Sequence, residues 1–96
     1  MARRARFKFR IYVAGEALNS VQALANLRSI CLIHLPNRHG IEIVDVFKQP
    51  ERALADGIFM TPTLVKLSPS PATRIVGSLS HLPTVLQALG LEAVAA

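Results

Sequence analysis

The sequence predicts a single mixed α/β domain with the order β-α-β-α-β-β-α, and three stretches carry that prediction. The first is the alternation of Phe7, Phe9, Ile11 and Val13 with Lys8, Arg10 and Tyr12, a period-two strand with one strongly apolar face. The second is the helical spacing of Val21, Leu24, Leu27, Cys31 and Leu35, followed by the breaker run Pro36-Asn37-Arg38-His39-Gly40. The third is Phe59-Met60-Thr61-Pro62-Thr63-Leu64-Val65, where a proline stands directly against a β-rich run. Proline lacks an N–H and resists a central strand, so Pro62 marks the strand's beginning. It also holds Thr61 extended and makes the Thr61–Pro62 bond a structural cis-proline candidate.

The elements follow in order. Ala14 to Leu18 forms a loop in which Gly15 is free to take a conformation closed to other residues. Asn19 is placed to cap the first helix, with Gln22 completing a capping box. Ile41 to Phe47 reads as a second strand in which only Glu42 and Asp45 are polar, a pattern expected of a strand buried on both faces beside a parallel neighbour. Pro50 suits the first turn of a short helix and Glu51 suits its dipole, with Gly57 as the stop, giving a helix over about Pro50 to Asp56. Thr63 to Leu67 and Thr73 to Val76 are rich in β-branched residues and are separated by Ser68-Pro69-Ser70-Pro71, a turn. Ser80 is the expected cap of a last helix carrying Leu82, Val85, Leu86 and Leu89, which Gly90 closes. With Thr-Pro-Thr at the start of the hairpin, this is the thioredoxin-like arrangement, with a mixed four-stranded sheet.

Composition narrows the function classes. Ninety-six residues make one domain, and no apolar run reaches the eighteen or so residues of a membrane span. The basic start leads into a strand pattern and not into an apolar signal core, so a cytoplasmic protein is expected. The net charge is +5, but Arg3, Arg4, Arg6, Lys8 and Arg10 hold all of the excess. Residues 1–6 therefore read as a basic arm. Such an arm can meet phosphates, yet the body shows no nucleic-acid motif, and a solvated terminus is the favoured reading. The single cysteine, Cys31, excludes an intramolecular disulfide and a thiolate metal cage, and its helical setting marks it as a small core residue. His34, His39 and His81 lack metal-ligand spacing, and no glycine-rich phosphate loop is present. A redox enzyme of this arrangement needs a nucleophilic cysteine after the first strand, where Ala14 to Ser20 has none. No catalytic residue and no cofactor are expected.

At this point the chain resembles the KaiB family of circadian clock proteins. The resemblance lies in Ile11-Tyr12-Val13-Ala14-Gly15, Asn19-Ser20-Val21, Val44-Asp45-Val46-Phe47-Lys48-Gln49-Pro50, Thr61-Pro62-Thr63-Leu64 and Arg74-Ile75-Val76-Gly77-Ser78-Leu79-Ser80. It implies an interaction module that binds a KaiC-like ATPase, with KaiA or a clock histidine kinase as further or competing partners. It also implies two accessible folds, a monomeric thioredoxin-like state and a tetrameric ground state of order β-α-β-β-α-α-β. From the matching motifs it carries partner binding to Lys48, Pro50, Lys66 and Arg74. The chain departs from the family at Leu54-Ala55-Asp56-Gly57, at Ser78 and at Ala88. Ala88 in place of glycine and the alanine-rich tail Leu91 to Ala96 favour the thioredoxin-like state as the resting one.

Overall fold

The computed structural model describes residues 6–91. Arg3, Arg4 and the tail residues 92–96, on which the arm and tail expectations rest, lie outside them.

Strand β1 (Phe7–Val13) leads into helix α1 (Leu18–His34), β2 (His39–Asp45), α2 (Pro50–Ala55), β3 (Thr63–Ser68), β4 (Thr73–Val76) and α3 (Leu82–Ala88). The sheet order is β2-β1-β3-β4, with β2 parallel to β1 and the other pairings antiparallel. This is the thioredoxin-like order, and the alternative ground-state order is not the one adopted. The alternation of β1 divides the core in two. Phe7, Phe9, Ile11 and Val13 face α1 and α3 and pack with Ala23, Leu27, Ile30, Cys31, Leu64, Val85, Leu86 and Leu89. Tyr12 faces the other way and packs with Val44, Ala53, Ile58 and Val65 beneath α2.

Several local expectations are corrected. Strand β2 starts at His39 and ends at Asp45, and it is an edge strand in which only Val44 is fully buried. The apolar run suggested burial on both faces, but the hairpin occupies the far side of β1 and leaves β2 with one neighbour. Helix α1 starts at Leu18, ahead of Asn19, and has no side-chain cap bond. Ser20 instead turns inward, 2% exposed, and accepts a hydrogen bond from the Ala14 N–H at 3.1 Å. Val21, placed in the buried stripe by its spacing, is 51% exposed, while Ala23 and Ile30 take the core positions. Helix α3 begins at Leu82 with His81 in the cap position, one residue after the expected cap Ser80. The peptide bonds before Pro62, Pro69 and Pro71 are all cis.

Candidate interaction surface

The short helix α2 is held over the sheet by a polar network. Arg10 on β1 donates from Nε to Glu42 Oε1 at 2.6 Å and from Nη1 to Asp56 Oδ2 at 3.1 Å. Arg52 on α2 reaches the other oxygen of Glu42 at 2.9 Å. The fully buried Tyr12 donates its hydroxyl to Asp56 Oδ2. Arg74 on β4 donates to the backbone carbonyls of Asp56 and Gly57, at the C-terminal end of α2. A guanidinium is well suited there, because terminal carbonyls lack partners and carry the negative end of the helix dipole. The hydrogen bonds from Arg52 and then Arg10 pull the Glu42 carboxyl down to about 2. The register explains this convergence. Arg10 pairs with Glu42 on one side and Val65 on the other, and Val65 pairs with Arg74, so all of these side chains emerge on the α2 side.

Beside this framework several large apolar side chains are exposed. Phe47 is 76% exposed, Leu54 77%, Phe59 90% and Met60 62%, with Val76 also exposed. Phe59, Met60 and Val76 line a concavity of about 150 Å³ together with Gly57, Thr63 and Arg74. The Phe47 ring stands over Gly15, whose φ is +54°; a Cβ there would meet the ring at 3.4 Å, so glycine serves both the turn and the approach. Large exposed apolar side chains, grouped as Phe59, Met60 and Val76 are, mark a candidate interaction surface.

Lys48, in the turn after β2, and Pro50, in the first turn of α2, are both exposed on this side. Arg74 lies at its edge, committed to the carbonyls after α2. Lys66 does not belong to it. Lys66 shares the face of Leu64, is 4% exposed, and points its ammonium between the Phe7 ring, 5.8 Å from the centroid, and the Leu89 carbonyl at 3.5 Å. It is a buried residue on the α3 side and not a partner contact in this fold. The exposed aromatic and aliphatic residues had a sequence signal only at Phe59-Met60, two large apolar side chains inside a loop.

Cys31 lies in the last turn of α1 with no exposed area, and burial pushes its thiol up to about 11. Among the described residues no three His, Cys, Asp or Glu side chains come together to hold a metal ion, and no helix is long and apolar enough to cross a membrane.

The family profile described as the KaiB domain matches residues 10–91. The chain belongs to the KaiB domain family. It is 43% identical over 89 residues to the circadian clock protein KaiB3 of Synechocystis sp., covering 93% of this chain and 85% of that one. It is 42% identical over 91 residues to the circadian clock oscillator protein KaiB of Prochlorococcus marinus, covering 95% and 87%. Among solved structures, the N-terminal domain of Synechococcus elongatus SasA superimposes with a TM-score of 0.72 at 17% identity, covering 99% of this chain and 94% of that domain. Chloroplastic thioredoxin z gives 0.70 at 18% identity, covering 91% and 81%. At such identities these two likenesses concern the fold alone. They place this KaiB-family chain in the thioredoxin-like class.

Proposed function

We propose that this chain is a non-enzymatic interaction module of a clock-type assembly, binding a KaiC-like ATPase and regulating its phosphorylation or ATPase cycle. The observation that carries the reading is the exposure of Phe47, Leu54, Phe59, Met60 and Val76, together with exposed Lys48, beside the ion pairs of Arg10 and Arg52 that hold α2. An apolar centre with a polar rim is the anatomy of a protein interface. Lys48 and Pro50 contribute to the contact, and Arg74 contributes by fixing the end of α2. KaiA-like proteins and a clock histidine kinase with a sensor domain of the same fold are the competing partners. The resting state is the thioredoxin-like monomer, with the ground-state fold as a minor population. NMR secondary shifts reporting helix at residues 63–67 and strand at 91–95 in the dominant species would contradict that order.

The test is a pull-down against the KaiC homologue encoded in the same genome, in each nucleotide state. Wild type should bind the nucleotide-loaded form. Lys48→Glu should weaken binding through the altered charge match, and Leu54→Asp should weaken it at least tenfold by placing a carboxylate in the apolar centre. Both side chains are exposed, so the fold tolerates the changes. Undiminished binding by both variants, or no wild-type binding in any state, would refute the assignment.

A further inference from the structure

The chain has one cysteine and two methionines, and Cys31 and Met60 are the sulfur-bearing side chains among the described residues. They sit in opposite settings. Cys31 has no exposed area and a thiol pushed up to about 11, so it is closed to oxidants. Met60 is 62% exposed, in the loop between α2 and β3. A thioether needs no deprotonation to react, so exposure alone opens it to attack. The Met60 backbone is anchored, its carbonyl accepting a hydrogen bond from the Thr63 hydroxyl at 2.6 Å. From that anchored position the side chain shares one concavity with Phe59, Val76 and Arg74.

Arg74 gives an oxidised Met60 a partner. A guanidinium has five N–H donors, and the carbonyls of Asp56 and Gly57 take two of them. A thioether sulfur is a weak acceptor for the others, whereas a sulfoxide oxygen is a strong one. Arg74 is also the one charged side chain among the described residues lining the concavity.

We propose that Met60 is an oxidation site at which a peroxide converts the α2 surface from a binding to a non-binding state. The proposal rests on the interaction reading of that surface. The Met60 sulfur attacks one peroxide oxygen, and an S–O bond forms as the O–O bond breaks. The departing hydroxide takes the proton of the transferred oxygen and leaves as water. The sulfur loses two electrons and the peroxide gains them. A flexible apolar side chain is thereby replaced by a polar one within the contact. A partner covering the sulfoxide oxygen must strip it of water, which costs affinity unless a donor meets it. The donor in the same concavity is the guanidinium that holds the end of α2, so one oxygen atom alters both the surface and the anchoring of its helix. Two thiols reverse the step under methionine sulfoxide reductases, giving the thioether, a disulfide and water.

Treatment of the full chain with hydrogen peroxide, removed by catalase before any partner is added, tests the proposal. Trypsin cleaves after Arg52 and Lys66, which isolates Met60 from Met1 and Cys31. Mass spectrometry should find one added oxygen on that peptide, formed as readily as on N-acetylmethionine, and none on the Cys31 peptide. Proton–nitrogen NMR spectra of the oxidised chain should show shifted signals for the Arg74 side chain and for the amides of Gly57 and Ile58, whose peptide groups carry the carbonyls that Arg74 binds. Capture by the KaiC-like ATPase should fall about tenfold on oxidation and return after treatment with the reductases. Met60→Leu, compared with itself before and after peroxide, should change in neither reading. A Met60 peptide left unoxidised while N-acetylmethionine is consumed, unchanged signals around Arg74, undiminished capture after oxidation, or an equal loss of capture in treated Met60→Leu would each overturn the proposal. A wild type that captures no ATPase in any nucleotide state refutes the interaction reading alone, and the oxidation site then stands or falls on the peptide and the NMR spectra.

Discussion

Asp56→Ala tests whether the network beneath α2 holds that helix in place. The carboxylate accepts from the Tyr12 hydroxyl and from Arg10 Nη1, and the two partners differ in what they lose. Tyr12 is fully buried, so its hydroxyl is left without an acceptor, at a cost of about 1–3 kcal/mol. Arg10 keeps Glu42 and is partly solvated, so its loss adds about 0.5 kcal/mol. The sum is about 1.5–3.5 kcal/mol. Tyr12→Phe removes the donor instead and leaves Asp56 with Arg10 and water, since that side chain is 36% exposed. It should cost about 1 kcal/mol. The double variant should therefore be less destabilised than the two singles together by about 1 kcal/mol, because the stranded hydroxyl is gone. The chain has no tryptophan, so urea unfolding is best followed by far-ultraviolet circular dichroism. With a slope of about 1 kcal/mol per molar urea, Asp56→Ala should lower the midpoint by about 2 M. A midpoint within about 0.5 M of wild type, or strict additivity in the cycle, would refute the reasoning.

Two further outcomes follow from perturbed groups. The Glu42 carboxyl sits near 2 in the folded chain against an ordinary 4.5, held there by Arg52 and then Arg10, so its stabilising share is complete above about pH 4.5 and disappears as the pH falls towards 2. The side chain is nearly half exposed, which limits that share to about 1 kcal/mol or less; the gap in urea midpoint between wild type and Glu42→Gln should close on acidification, and a gap independent of pH would contradict the assignment. Cys31, with its thiol near 11 and no exposed area, should resist alkylation at pH 8 until urea unfolds the chain, and should support no insulin reduction. Rapid native-state labelling or Cys31-dependent turnover would overturn both expectations.

Much of the fold was legible because period and punctuation agree with tertiary burial. The alternation of β1 survives since each face meets its own apolar layer, and Pro50 and the Ser68–Pro71 turn act locally, through φ and the missing N–H. What escaped depends on neighbours distant in sequence. The run Ile41 to Phe47 cannot say on which side of β1 the hairpin will pair, and that decides whether β2 is an edge. Ser20 reads as a helix-start residue until the Ala14 amide is brought to it. The link from Arg74 to the end of α2 spans residues 18 apart and has no local signature. Lys66 is a different case. The period-two rule sets it on the same face as Leu64, so its burial could have been inferred once Leu64 was assigned to the core.

The exposed apolar residues beside α2 lie on one side of the sheet, and β1 is the reason. Its odd residues anchor the layer beneath α1 and α3, while Tyr12 and Arg10 anchor α2 on the other side. Leu54, on that helix and 77% exposed, therefore contributes little to the fold itself. Leu54→Asp should leave the urea midpoint within about 0.5 M of wild type, whereas Asp56→Ala, two residues on, should lower it by about 2 M. A midpoint for Leu54→Asp lowered as far as that of Asp56→Ala would mean that the Leu54 side chain packs into the fold, and its place in a contact surface would not stand.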